Sequence, residues 1–148
     1  MRIDRVGSAD LPDLLPLMRA YCDFYRVNPP DEKLLALSRA LIDHPGQGEQ
    51  LLARDSDGGP VGFATVFWTW QTLDADRVGV LNDLYTVPEV RGRGVGRALI
   101  TRCRQRCGER DVPKLVWETA PDNVTAQRVY DGIGATSSTW LEYEIGAL

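Results

Sequence analysis

The stretch from Leu81 to Ile100 constrains this chain more than any other. Val78 to Val87 is rich in β-branched and apolar residues and reads as a strand. Pro88 cannot donate to a sheet ladder and stops it. A loop follows in which Arg91, Gly92, Arg93, Gly94, Val95, Gly96 and Arg97 interleave glycine with arginine. From Val95 the pattern turns helical. Val95, Leu99, Ile100, Cys103 and Cys107 fall on one apolar stripe, with Arg97, Thr101, Arg104 and Gln105 outside it.

A strand, a glycine-arginine loop and a helix together describe an anion site. The first N–H groups of a helix have no partner inside it and sit at the positive end of the dipole. Glycine lets phosphate oxygens approach the backbone without a Cβ in the way. Arginine adds attraction and a forked donor. The ligand is narrowed by what is missing. A nucleoside-triphosphate loop needs Lys and then Ser or Thr after its last glycine, and Arg97-Ala98 stands there. A dinucleotide fingerprint needs a third glycine at Arg97 or Leu99, according to the starting point.

Elsewhere the periodicities alternate. Arg2 to Val6 is expected as a first strand. Asp10 caps a helix whose stripe is Leu11, Leu14, Leu15, Met18, Tyr21 and Tyr25, with Pro16 kinking it or delaying its start. Asp31 caps a second helix, ended by His44-Pro45-Gly46. Gln50 to Arg54 and Val61 to Trp70 form a hairpin around a Gly-Gly-Pro turn. After the central helix, Lys114 to Thr119 is a strand. Asn123 opens a last helix to about Asp131, and Thr139 to Ile145 alternates as a final strand. The order is β1-α1-α2-β2-β3-β4-α3-β5-α4-β6. The strand on either side of the central helix makes a parallel, right-handed crossover beside an antiparallel hairpin. The fold class is therefore α/β of α+β type, with a mixed, mostly antiparallel sheet and helices on both faces. No linker interrupts residues 1–148, which suit a single domain.

Composition excludes several classes. A net charge of −4 argues against nucleic acid as a partner. No apolar run approaches the length of a membrane span, and the N-terminus lacks an apolar signal region. Three cysteines make no disulfide framework and point to the cytoplasm. Cys103 and Cys107 are one helical turn apart, but His44 is the only histidine, so both read as core residues and no metal is expected.

Arg91-x-x-Gly94-x-Gly96 after a strand resembles the pyrophosphate loop of the GNAT superfamily, the Gcn5-related N-acetyltransferases. Asn123-x-x-Ala126-x-x-x-Tyr130-x-x-x-Gly134-Ala135 is similar to that family's segment after its fifth strand. Asn123 and Tyr130 lie about two helical turns apart and share a face. The element order matches the GNAT fold across nearly the whole chain. The resemblance implies acetyl-coenzyme A as cosubstrate. Backbone groups of Leu84, Tyr85, Thr86 and Val87 would then meet the pantetheine arm, Arg91 to Arg97 the pyrophosphate, and Asn123 the coenzyme backbone, while Tyr130 reaches the thioester sulfur. The late strand of such enzymes often serves a homodimer.

Leu81-Asn82-Asp83-Leu84-Tyr85-Thr86-Val87 and Trp140-Leu141-Glu142-Tyr143 further resemble the polyamine, diamine and histone acetyltransferase-like subgroup, with two departures: Asn82 stands where relatives often carry a glutamate, and Thr86 where many carry valine or isoleucine. A primary amine with pKa near 10.4 is protonated at pH 7, so supplying the free nucleophile costs roughly 4 to 5 kcal/mol and a base must take the proton. Asp83 is the candidate base and Glu118 the second. Strand alternation puts Asn82 and Asp83 on opposite faces unless a bulge intervenes. Tyr25, Asn82, Trp117 and Glu118 are candidates for the acceptor side, with Trp68 and Trp70 as further aromatics. The acceptor implied is a small-molecule amine. A protein lysine or N-terminal amine is the alternative, and a CoA-binding module without catalysis is the alternative of another class.

Overall fold

The computed structural model describes residues 1–148. It divides into two units, Met1–Glu118 and Thr119–Leu148. The first holds β1 (Arg2–Arg5), α1 (Leu11–Phe24), α2 (Asp31–Asp43), β2 (Gly48–Arg54), β3 (Pro60–Gln71), β4 (Asp76–Thr86), α3 (Val95–Glu109) and β5 (Leu115–Val116). The strands form one sheet in sequence order. β1 to β4 are antiparallel and β5 joins β4 in parallel. The expected class, a mixed and mostly antiparallel sheet with helices on both faces, is what forms.

Register sorts the faces. Leu52 pairs with Phe63, and Phe63 with Tyr85. This row packs with Leu11, Leu14, Leu17, Met18 and Cys22 of α1 and Leu34 of α2 in one buried cluster. Residues one step along each strand face the other way. There Glu49 meets α3, whose Arg106 holds it through two N–H···O bonds at 2.6 and 2.9 Å. The stripe read from sequence is buried at every position: Val95, Leu99, Ile100, Cys103 and Cys107. Gly79 is what lets α3 come so close. A Cβ there would lie 3.0 Å from Cys107 Sγ and 3.0 Å from the Trp68 ring.

Several local expectations give way. Asp10 stands at the N-cap of α1 as expected, but its carboxylate bonds no α1 amide; it takes the Gly7 N–H at 2.9 Å and an Arg54 donor at 2.9 Å. Pro16 neither delays nor splits α1, which runs through it because Leu14, Leu17 and Met18 around it are buried. Asp31 is the first residue of α2 rather than its cap; Pro30 takes that place and Asp31 pairs with Arg19. β5 has two residues where six were expected. The second unit contains α4 (Val124–Asp131), capped by Asn123. Val124 and Val129 on it are exposed. The expected sixth strand, Thr139 to Ile145, does not form, and Trp140, Leu141, Tyr143 and Ile145 are exposed. Alternation alone does not make a strand. A ladder partner does, and residues 139–145 pair with no strand of the sheet.

Candidate active site

The functional end of the first unit lies where β4 leaves the sheet. β5 pairs with β4 only at Gly79–Leu115 and Val80–Val116. From Leu81 to Thr86, β4 is paired on its β3 side alone. Its other edge presents main-chain N–H and C=O groups in a row, a template for an extended ligand that carries amides of its own. Val87 differs from its neighbours. Its N–H goes to Val61 O at 3.0 Å and its carbonyl accepts from Val90 at 3.2 Å, so its donor is withdrawn from the set expected to face a coenzyme.

The chain then turns into α3 through a short 3₁₀ turn at Pro88–Val90 and two left-handed glycines, Gly92 (φ 77°) and Gly94 (φ 82°). Nothing lies within 4 Å of a Cβ built at either position, so glycine is required by the backbone angle and not by crowding. Gly94 is the N-cap of α3 and offers no side-chain oxygen. The amides of Val95 and Gly96, in the first turn, therefore have no partner inside the helix or from a capping side chain. Arg91 and Arg93 are exposed beside them, and Arg91 Nε donates back to Thr86 O at 3.3 Å. Arg97 is exposed one turn into the helix. The donors suit a pyrophosphate and the edge suits a pantetheine arm.

At the start of the open edge lies the bulge that alternation left undecided. Thr65 pairs with Asp83, but Val66 pairs with Leu81, so Asn82 is the extra residue. Asn82 is exposed, and its Nδ2 donates to Asp83 Oδ1 at 3.0 Å. Asp83 points under α1 and is half-buried. Burial raises its carboxyl above the ordinary 3.8, against hydrogen bonds from Thr65, Tyr21 and Asn82 that pull it down. A carboxyl raised in this way is a stronger base than an exposed one. Tyr21 and Thr65 were not among the residues singled out from sequence. Tyr21 read as one position of an apolar stripe, and only the strand register brings Thr65 to Asp83.

The chain matches the acetyltransferase (GNAT) family over residues 14–135. It belongs to the GNAT acetyltransferases. It is 25% identical over 139 residues to an uncharacterized N-acetyltransferase, YhfO, of Bacillus subtilis, covering 94% of this chain and 92% of that protein. It is 30% identical over 115 residues to a D-amino-acid N-acetyltransferase of Saccharomyces cerevisiae, covering 77% of this chain and 71% of the yeast protein. A crystal structure of a probable acetyltransferase superposes with a TM-score of 0.87 at 25% identity, covering 100% of this chain and 99% of that one. GNAT acetyltransferases use acetyl-coenzyme A, and this chain is an acyltransferase of that type.

The remaining candidates of this GNAT chain are spread more widely. Tyr25 ends α1 with its ring 5.0 Å from that of Tyr21, on the Asp83 side of the sheet. Trp117 and Glu118 lie just beyond β5, Trp117 half-buried and Glu118 exposed. Trp68 and Trp70 pair with Gly79 and Arg77, the other end of β4 from Asp83. Trp68 is buried on the α3 face under the Arg110 guanidinium, 4.9 Å from the ring centroid, and Trp70 is exposed. Neither tryptophan belongs with the bulge. In the second unit, Asn123 Oδ1 accepts from Ala126 N at 3.3 Å, which is a helix cap. Tyr130 follows two turns later on α4 and is half-buried. No helix of the chain is long and apolar enough to cross a membrane.

Proposed function

We propose that the enzyme transfers the acetyl group of acetyl-coenzyme A directly to the primary amine of a small molecule: a polyamine, a diamine or an amino acid. The observation that carries this reading is the position of Asp83, a half-buried carboxylate at the bulge that opens the free edge of β4. In this reading Leu84, Tyr85 and Thr86 pair their main chain with the pantetheine arm, Arg91 to Arg97 hold the pyrophosphate, and Asn123 adds a contact to the coenzyme. Asp83 attracts the ammonium and takes one of its protons. The freed nitrogen lone pair adds to the thioester carbonyl carbon, the C–S bond breaks as the nitrogen gives up its second proton to solvent, and the coenzyme leaves as a thiolate. Tyr130 hydrogen-bonds that thiolate. Full transfer of its proton is uphill by roughly 2 kcal/mol from ordinary pKa values, so stabilisation is its main role. Tyr25, Asn82, Trp117 and Glu118 contact the acceptor.

A small acceptor is supported by the relative named for D-amino acids, which are small molecules carrying a primary amine. The half-buried Asp83 carboxylate suits a compact cation better than a neutral group. The test is thiol release from acetyl-coenzyme A by wild type, Asp83→Asn and Tyr130→Phe. The acceptors are spermidine, a short diamine, several D- and L-amino acids and a lysine-rich peptide. Release that needs a small amine and drops in both variants is the expected result. Release with the peptide alone would replace the acceptor class, and an unaffected Asp83→Asn would remove the base.

A further inference from the structure

Asp83 is one member of a row. Gln50 pairs with Thr65 across β2 and β3, and Thr65 pairs with Asp83 across β3 and β4. Three strands thus each place one polar side chain in line on the face that α1 covers, next to the apolar row of Leu52, Phe63 and Tyr85. Thr65 is 0% exposed and Gln50 3%. Polar groups so deep in an apolar face cost stability unless they are bonded, so the row calls for a reason beyond packing.

The bonds have a direction. Gln50 Nε2 donates to Thr65 Oγ1 at 3.2 Å. A hydroxyl has a single proton, and with its oxygen engaged from behind, that of Thr65 goes forward to Asp83. Tyr21 of α1 stands over this row, its ring against Phe63 and Tyr85, the same-face strand neighbours of Thr65 and Asp83, and its hydroxyl acts on the Asp83 carboxylate. Its ring cannot swing away: it is held edge-on by Phe63 at 5.9 Å, Tyr85 at 6.5 Å and Tyr25 at 5.0 Å between centroids. Asn82 at the bulge supplies the third donor.

We propose that Tyr21 is a positioning residue of the acetyl transfer: together with Thr65, which Gln50 orients, it fixes the rotamer and the charge of Asp83 at the head of the open β4 edge. The inference rests on Asp83 being the base and adds what makes it one. The titratable groups facing Asp83 are Tyr21, Cys22 and Tyr25 from α1 and Tyr85 from its own strand, with Arg19 and Asp23 of α1 acting on Cys22 nearby. β2 and β3 contribute the neutral Gln50, Phe63 and Thr65. Burial pushes the Tyr21 phenol and the Cys22 thiol up, away from neutral pH. Asp83 is the one carboxyl of the row.

Donors to a carboxylate favour its charged form. Tyr21→Phe keeps the ring packing and deletes one of the three. The carboxyl then rises, and the acid limb of the kcat/KM profile moves to higher pH by about one unit. At a pH on that limb the rate falls up to about tenfold, while the alkaline plateau changes less. Thr65→Val moves the limb the same way. The experiment records the pH–rate profile of wild type, Tyr21→Phe and Thr65→Val, and titrates the Asp83 carboxyl by carbon NMR in each. An upward move in both readouts is expected. If both stay in place in Tyr21→Phe, Tyr21 only packs and the inference is wrong; if the carboxyl moves but the rate profile does not, its link to the reaction is wrong. Asp83→Asn separates the two readings. Full activity in that variant removes the base, whereas an inactive Asp83→Asn beside an unshifted Tyr21→Phe removes the positioning role alone.

Discussion

Asp83 sets a conflict between stability and chemistry that a pH series can expose. Its carboxyl is raised in the folded chain by burial above its ordinary 3.8. The fold therefore binds this proton more tightly than the unfolded chain does. The stabilisation that protonation gives is fully present below 3.8 and is lost as pH rises through the folded value. Ionised Asp83, the form that accepts a proton, is the less stable one for the fold. Asp83→Asn removes that dependence. Its melting temperature should gain on wild type as the buffer is raised from about pH 4 to pH 7, while turnover at pH 7 falls by about 10² to 10⁴. A variant that loses turnover with no pH-dependent gain in melting temperature would mean the carboxylate is not desolvated. The residue type was legible in the sequence, since an acid in the strand before the glycine loop is a natural base. Its partners were not. Tyr21, Thr65 and Gln50 are separated from Asp83 by 62, 18 and 33 positions; pairing register joins Thr65 and Gln50 to it, and the packing of α1 on the sheet brings Tyr21.

α3 opens on the proposed anion site, and it is fastened at both ends. At its start, Gly94 adopts φ 82°. An alanine there meets no neighbour but must adopt a left-handed angle, at about 1 to 2 kcal/mol. Gly94→Ala should therefore weaken acetyl-coenzyme A binding about tenfold, as measured by calorimetry, because relaxing the angle re-aims the amides of Val95 and Gly96. Unchanged affinity would show that the turn does not set the site. Near its end, Arg106 reaches Glu49, which is 1% exposed on β2. A buried pair broken on one side leaves a charge with an incomplete set of partners. Glu49→Gln should cost about 3 kcal/mol in urea denaturation, discounted where Glu109 still holds Arg106. A loss below about 1 kcal/mol would mean the pair is no anchor. The helix itself was readable, because its stripe repeats at the helical period and each stripe residue is buried. The bulge at Asn82 and the missing sixth strand were not. Both depend on what lies beside the strand, and a sequence window holds only the strand itself.

At the scale of the whole molecule, two substrates of opposite sign meet one acidic protein. The chain carries −4, yet residues 90–98 hold Arg91, Arg93 and Arg97 and no acid. A coenzyme bearing phosphates is repelled by the chain's net charge at long range and attracted by the loop at short range. Charges separated by more than a Debye length, about 10 Å at 0.1 M salt, count little. The three arginines lie in or next to the turn that opens α3, where Glu89 is the one nearby acid in sequence, so the loop dominates the sign there. Acetyl-coenzyme A should thus bind more weakly as sodium chloride is raised from about 50 to 500 mM, and Arg93→Gln should flatten the dependence without abolishing binding. The amine responds to the other field. Its cation is drawn by the net negative charge and by Asp83, so its KM should also rise with salt, and Arg93→Gln should leave that slope alone. The two slopes, taken from calorimetry for the coenzyme and initial rates for the amine, separate the sites electrically. A coenzyme that binds more tightly in high salt would show that the net acidity outweighs the arginine loop and would overturn its assignment as the phosphate site.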